Sequence, residues 1–341
     1  MSLFRRLLSS DLGQLVIEIV AVVIPVLLLE ALLNLLPASF RQSLAGDVLL
    51  NILAAAIIVV VFWLTLRKLE HRSLADAGLP GQQWLRQLLL GFSGGGALLT
   101  VVILALAITG SYHITGIHPF AAVEFVFFIV ALCLLALLFI RNAKIGFFHY
   151  VLFVCLLFGL LTTAVSLVIL IGGAIQEELV FRGMIFRKLE RSFGSWIALA
   201  VSAILFGVIH MANPGATLVS TIALVVSAGV LFAAIYMLTR SLWWATGAHL
   251  GWNFFEGPVF GSQVSGHVMP GFFSSVITGP VAWAGGGFGP EAGLAAILIV
   301  GFVGFFLCFR AARQHRMLPH NRRQHIPYDT PPERTDIPVN L

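Results

Sequence analysis

The sequence predicts an all-α fold, a polytopic transmembrane helical bundle of about eight spans. Apolar residues make up 59% of the 341 residues and charged residues only 10%, whereas soluble domains usually carry about 25% charged residues. The apolar residues form successive runs, most of them near the ~20 residues that a membrane span requires. The net charge of +5 does not indicate a nucleic-acid partner, because Lys and Arg lie in short clusters between these runs.

The candidate spans follow each other closely along the chain. They cover 13–36, 48–66, 87–109, 120–140, 147–172, 195–211, 216–239, a shorter run 241–256, and 292–309. The polar connection after the second run has the Leu and Trp residues of a segment that lies at the membrane interface.

The basic clusters at 67–72 and 182–191 both predict the cytoplasmic side of the membrane. Three of the apolar runs lie between these clusters, and an odd number of crossings does not return a chain to the same side. Either one run is re-entrant or one cluster breaks the rule, and the sequence alone leaves both possibilities open.

Three regions are predicted along the chain. Residues 1–86 form an N-terminal transmembrane hairpin with its interfacial connection, and 87–309 form a membrane-embedded core. Residues 310–341 are predicted to be a disordered cytoplasmic tail, since they contain six Arg and five Pro. Within the core, 257–290 is rich in Gly and Pro and has no Lys or Arg, which predicts a long non-cytoplasmic loop, or a re-entrant segment that protein buries.

The densest group of ionisable residues in an apolar run is in IGGAIQEELVFRGMIF. An ionisable side chain inside a membrane costs at least about 2.5–3.5 kcal/mol, so such a residue indicates a functional site. On a helix, Glu178 and Arg182 are four residues apart and pair on one face. Glu177 lies about 100° away from them, and an unpaired carboxylate in apolar surroundings suits a general base. We therefore predict a structural Glu178 and a reactive Glu177, the alternative being that both acids cap a helix that emerges from the membrane.

Two further apolar segments carry polar residues at helical spacing. SAILFGVIHMANPG places Phe206 and His210 four apart, and ATGAHLGWNF places His249 and Asn253 four apart. Two hydrogen-bond donors one turn apart can hold a developing oxyanion. The alternatives are a structural histidine in the first segment and interhelical hydrogen bonds in the second.

Three other acidic residues lie in apolar runs, and none of them has a partner four residues further along the same helix. Glu18, Glu30 and Glu124 are predicted to face the bundle interior.

Together, the three segments contain an ordered set of motifs. EELVFR fits EExxxR, FGVIH fits FxxxH and HLGWN fits HxxxN, and Gly183 follows the arginine. In this respect the sequence resembles the type II CAAX prenyl endopeptidases and the bacteriocin-processing or self-immunity proteins, also called Abi or CPBP proteins. The resemblance covers roughly residues 145–256, with no departure at a motif position.

The resemblance implies a glutamate-dependent intramembrane endopeptidase that cleaves a membrane-anchored or lipidated protein or peptide. In such an enzyme Glu177 and His210 activate a water molecule, and His249 and Asn253 stabilise the oxyanion. The alternative function is a non-catalytic bacteriocin-immunity or membrane assembly protein on the same fold, which an intact motif set disfavours.

The resemblance also implies residues that support the site. Glu178 and Arg182 brace it, and Phe206 packs beside it.

No metal cofactor is predicted. Glu177, His210 and His249 could form a zinc triad with an open fourth position, which is the alternative. The motif HExxH is absent, however, and Asn253 beside His249 suits an oxyanion better than a metal shell.

The partners predicted are a membrane protein or lipidated peptide as the substrate, and the lipid bilayer.

Overall fold

A computed structural model describes residues 10–41, 43–118 and 168–319 of the chain. This part is a helical bundle with one small antiparallel sheet, which confirms the all-α prediction. The main helices are α1 (Asp11–Leu33), α2 (Leu44–Thr65), α3 (Trp84–Ile108), α4 (168–193), α5 (Ser195–Ile209), α6 (Leu218–Thr239), α7 (Leu242–Phe254) and α8 (Leu294–Arg313). The strands are β1 (Tyr112–Ile117) and β2 (Phe273–Ile277).

Six helices in the described residues are long and apolar enough to cross a membrane, which confirms a multi-pass integral membrane protein. They are α1, α2 with its last turn to Glu70, α3, α5 with its last turn to Ala212, α6 and α8. Helix α7 is shorter and largely buried. The predicted run 120–140 and most of 147–172 lie outside the described residues.

Side-chain caps start several of the helices. The hydroxyl of Ser10 accepts a hydrogen bond from the backbone N–H of Gly13, and Ser43 does the same for Gly46. Thr217 and Ser220 form a reciprocal capping box at the start of α6. These bonds satisfy N–H groups that the first turn of a helix leaves without a partner.

One end of the bundle is held by buried ion pairs and is called the basic end below. Glu70, the last residue of the turn that extends α2, binds both terminal nitrogens of Arg187 at 2.5 and 2.6 Å. Lys188 lies 3.0 Å from Glu18 and 3.1 Å from Glu70, although all three side chains are almost fully buried. Glu190 pairs with Arg240, which begins the connection to α7. The segment that follows α8 reaches the same place, because the backbone N–H of Ser195 donates to the Leu318 carbonyl. The first residues of the predicted tail, 310–319, thus end α8 and pack at the basic end.

The opposite end carries the sheet and is called the sheet end. Helix α3 has 25 residues and is therefore about 37 Å long, so β1, which follows it, lies far from the basic end. The segment between α7 and α8 supplies β2 to the same sheet.

The arrangement places the two basic clusters relative to each other. The clusters at 67–72 and 182–191 meet at the basic end through Glu70 and Arg187, so they lie on the same side. In the described residues two crossings lie between the clusters, α3 away from the basic end and α4 back to it, and residues 119–167 lie outside the described part of the chain. The second half of α4 carries the polar motif, so the apolar run predicted to end at residue 172 stops within a helix that continues to Phe193.

The prediction for the isolated acids is correct for Glu18 and wrong for Glu30. Glu18 is fully buried and its partner, Lys188, comes from another helix. Glu30 is exposed, because it lies in the last turn of α1, where a long acidic side chain can reach the membrane interface. Glu124 lies outside the described residues.

Helices α3 and α7 pack in parallel at very short distance through glycines. A Cβ added to Gly95 would lie 1.9 Å from the Ala248 carbonyl oxygen, and one added to Gly251 would lie 2.0 Å from the Phe92 carbonyl oxygen. Small residues spaced by four allow this approach of two backbones in membrane proteins. The contact fixes α7, the helix with the HxxxN motif, against the long helix α3.

Candidate active site

The polar motif of α4 places a buried ion pair at the centre of the bundle. Residues Leu179–Phe186 form a π-helical stretch, a conformation that often occurs at functional sites. Arg182 lies in this stretch and Glu178 directly precedes it; Nη1 of Arg182 lies 2.9 Å from Oε1 of Glu178, and both side chains are fully buried. Arg182 also donates to the carbonyl of Gly229 at 3.1 Å. The pair predicted from the spacing is thus formed, and the arginine charge is neutralised away from water.

Glu178 also contacts the third motif. Its Oε1 lies 2.9 Å from Nδ1 of His249. Because the carboxylate is already paired with Arg182, it acts as the acceptor and the imidazole Nδ1–H as the donor. Glu178 therefore orients a histidine of the site, a role that the spacing within its own helix does not predict.

Glu177 faces the two histidines instead of the arginine. Its Oε2 lies 3.7 Å from Nε2 of His210 and 3.9 Å from Nε2 of His249. These distances exceed those of direct hydrogen bonds, and Oε2 is buried without a hydrogen-bond partner among the described residues. Three polar atoms therefore surround a space in which a small polar molecule can bridge them.

His210 is held in one tautomer by its own helix. It follows the last residue of α5, and its Nδ1 lies 2.7 Å from the carbonyl oxygen of Phe206. A carbonyl only accepts, so Nδ1 carries the hydrogen and Nε2, the atom that faces Glu177, has a free lone pair in the neutral ring.

A cavity of about 390 Å³ contains these groups, and its wall includes Glu177, His210, His249 and Asn253. The structure thus brings together the four residues that the sequence predicts as catalytic. The side chain of Glu177 is 32% exposed, whereas Glu178 is fully buried behind it. Glu177 is therefore the acid that a molecule in the cavity can reach.

Aromatic rings pack behind the cavity. Phe206, predicted to support the site, has its ring centroid 4.8 Å from that of His210, and the Arg182 guanidinium lies 4.7 Å from the Phe206 centroid. Phe232 stacks on His249 at 4.6 Å and 15°. The rings exclude water from the ion pair and limit the rotation of both histidines.

A larger cavity, of about 550 Å³, lies between α3, α6, α7 and α8 and has an almost wholly apolar wall. It contains no titratable side chain, so we assign the chemistry to the smaller cavity.

Four polar residues of the cavity wall are not predicted from the sequence: Asn51, Asn213, Ser265 and His267. Asn51 comes from α2, and its Nδ2 lies 3.4 Å from the carbonyl of Ile169. Helical spacing gives no indication of these residues, because none of them lies on a motif helix four residues from a motif residue. For Asn51 one signal is available, a polar residue within an otherwise apolar span.

No group of three or more His, Cys, Asp or Glu residues in the described segments is arranged to hold a metal ion. Glu177, His210 and His249, the triad weighed for zinc, instead surround the space described above.

Fold and site together define an integral membrane protein with a carboxylate and two histidines around a cavity inside its helical bundle. Residues 150–255 match the family model described as type II CAAX prenyl endopeptidase, Rce1-like. The resemblance predicted from the three motifs is thereby confirmed, and a CAAX-type intramembrane protease is the kind of function that the match supports. A comparison of the chain with curated proteins and a comparison with solved structures each find no match.

Proposed function

We propose that this chain is a glutamate-dependent intramembrane endopeptidase that cleaves a membrane-anchored or lipidated protein or peptide. The observation that carries the proposal is the approach of two histidine Nε2 atoms to Oε2 of Glu177, the acid of the adjacent pair whose side chain is partly exposed. That oxygen has no hydrogen-bond partner among the described residues, and its side chain forms part of the cavity wall.

In the proposed reaction Glu177 and His210 activate a water molecule. The Glu177 carboxylate and the neutral Nε2 of His210 are both acceptors, so a water between them directs its two hydrogens at these atoms. Its oxygen lone pairs then remain available to attack the substrate carbonyl carbon. As the new C–O bond forms, Glu177 takes one proton from the water, and this proton passes to the leaving amine nitrogen when the C–N bond breaks.

His249 and Asn253 are proposed to stabilise the oxyanion of the tetrahedral intermediate. The Nδ1–H of His249 already donates to Glu178, so donation from Nε2 requires the doubly protonated ring. The Glu178 carboxylate favours that form. The Asn253 amide, one turn further along α7, supplies a second donor.

Glu178 and Arg182 act behind the cavity. The ion pair holds the carboxylate that orients His249, and Phe206 and Phe232 shield the pair from water. No step of the proposed reaction uses a metal ion.

The proposal can be tested even though the substrate is unidentified. Wild-type and Glu177→Gln chains are purified, reconstituted into liposomes and incubated with a solubilised membrane proteome, and new peptide N-termini are identified by mass spectrometry. We expect a set of new termini that the wild type produces and Glu177→Gln does not. Glu30→Gln, which alters an exposed acid outside the cavity, should give the wild-type set. A wild type that produces no termini beyond those of Glu177→Gln would favour the non-catalytic alternative.

A further inference from the structure

Two buried acidic residues lie after the segment that matches the family model, which ends at residue 255. They are Glu256, which is 0% exposed, and Glu291, which is 3% exposed. The proposed reaction uses neither of them. Burial of a carboxyl group is costly unless the group is hydrogen-bonded, so the partners of each acid indicate what it contributes.

The side chain of Glu256 is bonded within its own helical segment. Its Oε2 accepts a hydrogen bond from Nε1 of Trp252 at 3.0 Å. The loop that follows is bonded to the backbone of Glu256 instead, because the N–H and the hydroxyl of Ser262 both donate to the Glu256 carbonyl, at 3.0 and 2.8 Å. These bonds fix the start of the loop and do not involve the Glu256 carboxyl group.

The side chain of Glu291 is bonded to the part of this loop that lines the cavity. Glu291 lies shortly before α8, and the hydroxyl of Ser265 donates to its Oε1 at 2.6 Å. Ser265 is a residue of the cavity wall, and its φ of 49° is in the left-handed region, which a non-glycine residue adopts at some energetic cost. The Glu291 carboxyl group therefore holds the loop in a conformation that the backbone of Ser265 does not favour.

The same loop residue contacts the turn that follows His210. The Ser265 carbonyl accepts from Nδ2 of Asn213 at 3.0 Å, and the N–H of Asn213 donates to the His210 carbonyl at 3.1 Å. A series of hydrogen bonds thus leads from Glu291 through Ser265 and Asn213 to the backbone of a site histidine. Its two middle members, Ser265 and Asn213, both line the cavity.

Close packing allows this loop little displacement. The N–H of Gly266 donates to the Phe288 carbonyl at 2.6 Å, and a Cβ added to Gly266 would lie 1.9 Å from the Pro214 carbonyl oxygen. The loop is therefore enclosed between the segment before α8 and the turn after α5. His267 and Met269, which follow, also line the cavity, so the position of the loop decides the shape of one side of the cavity.

From these contacts we infer that Glu291 is a positioning residue of the proposed peptidase. Through Ser265 it fixes the loop wall of the cavity and so determines which substrate sequences fit beside Glu177. The inference rests on the proposed function, and it gives a residue outside the three motifs a part in substrate selection. Glu291 acts through Ser265 and Asn213 and takes no part in the bond-breaking step.

Hydrogen–deuterium exchange of the purified chain in detergent measures the hold on the loop independently of activity. Glu291→Leu removes the acceptor and keeps a side chain of similar size, and Ser265→Ala removes the donor. Each should speed the exchange of peptides that span 262–268 by about tenfold, as expected for the loss of one hydrogen bond, and leave peptides from 187–193 unchanged. Glu291→Gln, which retains an oxygen acceptor, should exchange like the wild type. So should Glu30→Leu, the same substitution at an exposed acid outside the cavity.

Substrate selection is measured from the Glu177-dependent N-termini that each reconstituted variant produces from a solubilised membrane proteome. Loss of active protein alone would lower the yield of every terminus in proportion. A displaced wall should instead change the relative yields, by about tenfold or more for some termini, since a misplacement of about 1 Å can cost about 10²-fold in rate. Ser265→Ala should alter the same termini as Glu291→Leu, and Glu291→Gln should restore the wild-type pattern.

Unchanged exchange of 262–268 in both Glu291→Leu and Ser265→Ala would overturn the inference. Faster exchange with wild-type relative yields would also overturn it and leave the peptidase proposal intact, because the loop would then be held without selecting substrates. If the wild type produces no Glu177-dependent terminus, the peptidase proposal fails, and the role in substrate selection fails with it. If Glu291→Leu does not fold, Ser265→Ala decides both measurements.

Discussion

Nδ1 of His249 lies 2.9 Å from Oε1 of Glu178, the same oxygen that accepts a hydrogen bond from Arg182. One buried carboxylate oxygen therefore neutralises an arginine of its own helix and orients a histidine that is 71 residues away in the sequence. The two adjacent acids of the motif differ because Glu177 faces the cavity and Glu178 faces these two partners.

Replacing Glu178 should affect both stability and activity. Glu178→Gln leaves Arg182 without its counter-charge in a fully buried position, and breaking a buried ion pair costs about 3–5 kcal/mol. We expect a lower melting temperature in detergent and loss of cleavage. A Glu178→Gln protein as stable as the wild type would show that the pair contributes little to folding.

Combining Glu178→Gln with Arg182→Met separates the two roles of Glu178. The double variant removes the uncompensated charge, so part of the lost stability should return. Cleavage should remain low, because His249 still lacks the carboxylate that orients it and favours its doubly protonated form. Recovery of full activity in the double variant would contradict the orienting role.

Glu177→Gln should abolish cleavage and leave the fold intact. The amide keeps the shape of the side chain but does not accept a proton, and a general base contributes about 10²–10⁴-fold to rate. The melting temperature should stay near that of the wild type, because Glu177 is partly exposed and makes no short ion pair. Glu30→Gln provides the matched control for loss of an acid outside the cavity. An active Glu177→Gln together with a stable but inactive Glu178→Gln would reverse the assigned roles.

Chelation should not inhibit the proposed cleavage. If Glu177 and His210 activate water without a metal ion, the purified chain should contain no stoichiometric zinc, and cleavage should survive prolonged exposure to chelator. Elemental analysis and cleavage rates before and after chelation provide the measurement. Stoichiometric zinc, with activity that only zinc restores, would establish the triad of Glu177, His210 and His249 as metal ligands.

The close contact between α3 and α7 makes adjacent glycines differ sharply in their tolerance to substitution. Gly95→Ala would place a methyl group 1.9 Å from the Ala248 carbonyl oxygen, so the helices must separate, and overpacking of this kind costs about 1–3 kcal/mol. Gly94→Ala meets nothing within 4 Å, so it should be neutral or slightly stabilising, because alanine favours a helix over glycine by about 1 kcal/mol. Melting temperatures of both variants test the contact, and equal values would contradict it.

The site residues were predictable from the sequence where local spacing encodes them. Glu178 and Arg182 pair because residues four apart share a helix face, and the same spacing links His249 to Asn253. Asn213 and Ser265 were not predictable, because each reaches the cavity through a loop whose path depends on the packing of other elements.

The sequence by itself determined the class of this protein and the identity of its motifs. Burial of apolar side chains in lipid depends on composition and run length, and pairing within a helix depends on spacing, so both can be read along the chain. Only the tertiary structure decided that Glu178 holds His249, that α4 crosses the bundle, and that Glu177 faces His210 and His249 in one cavity. These features depend on contacts between distant segments, such as the pair of Glu70 with Arg187 and the glycine contact of α3 with α7. Helix–helix packing sets such contacts, and no single helix encodes them.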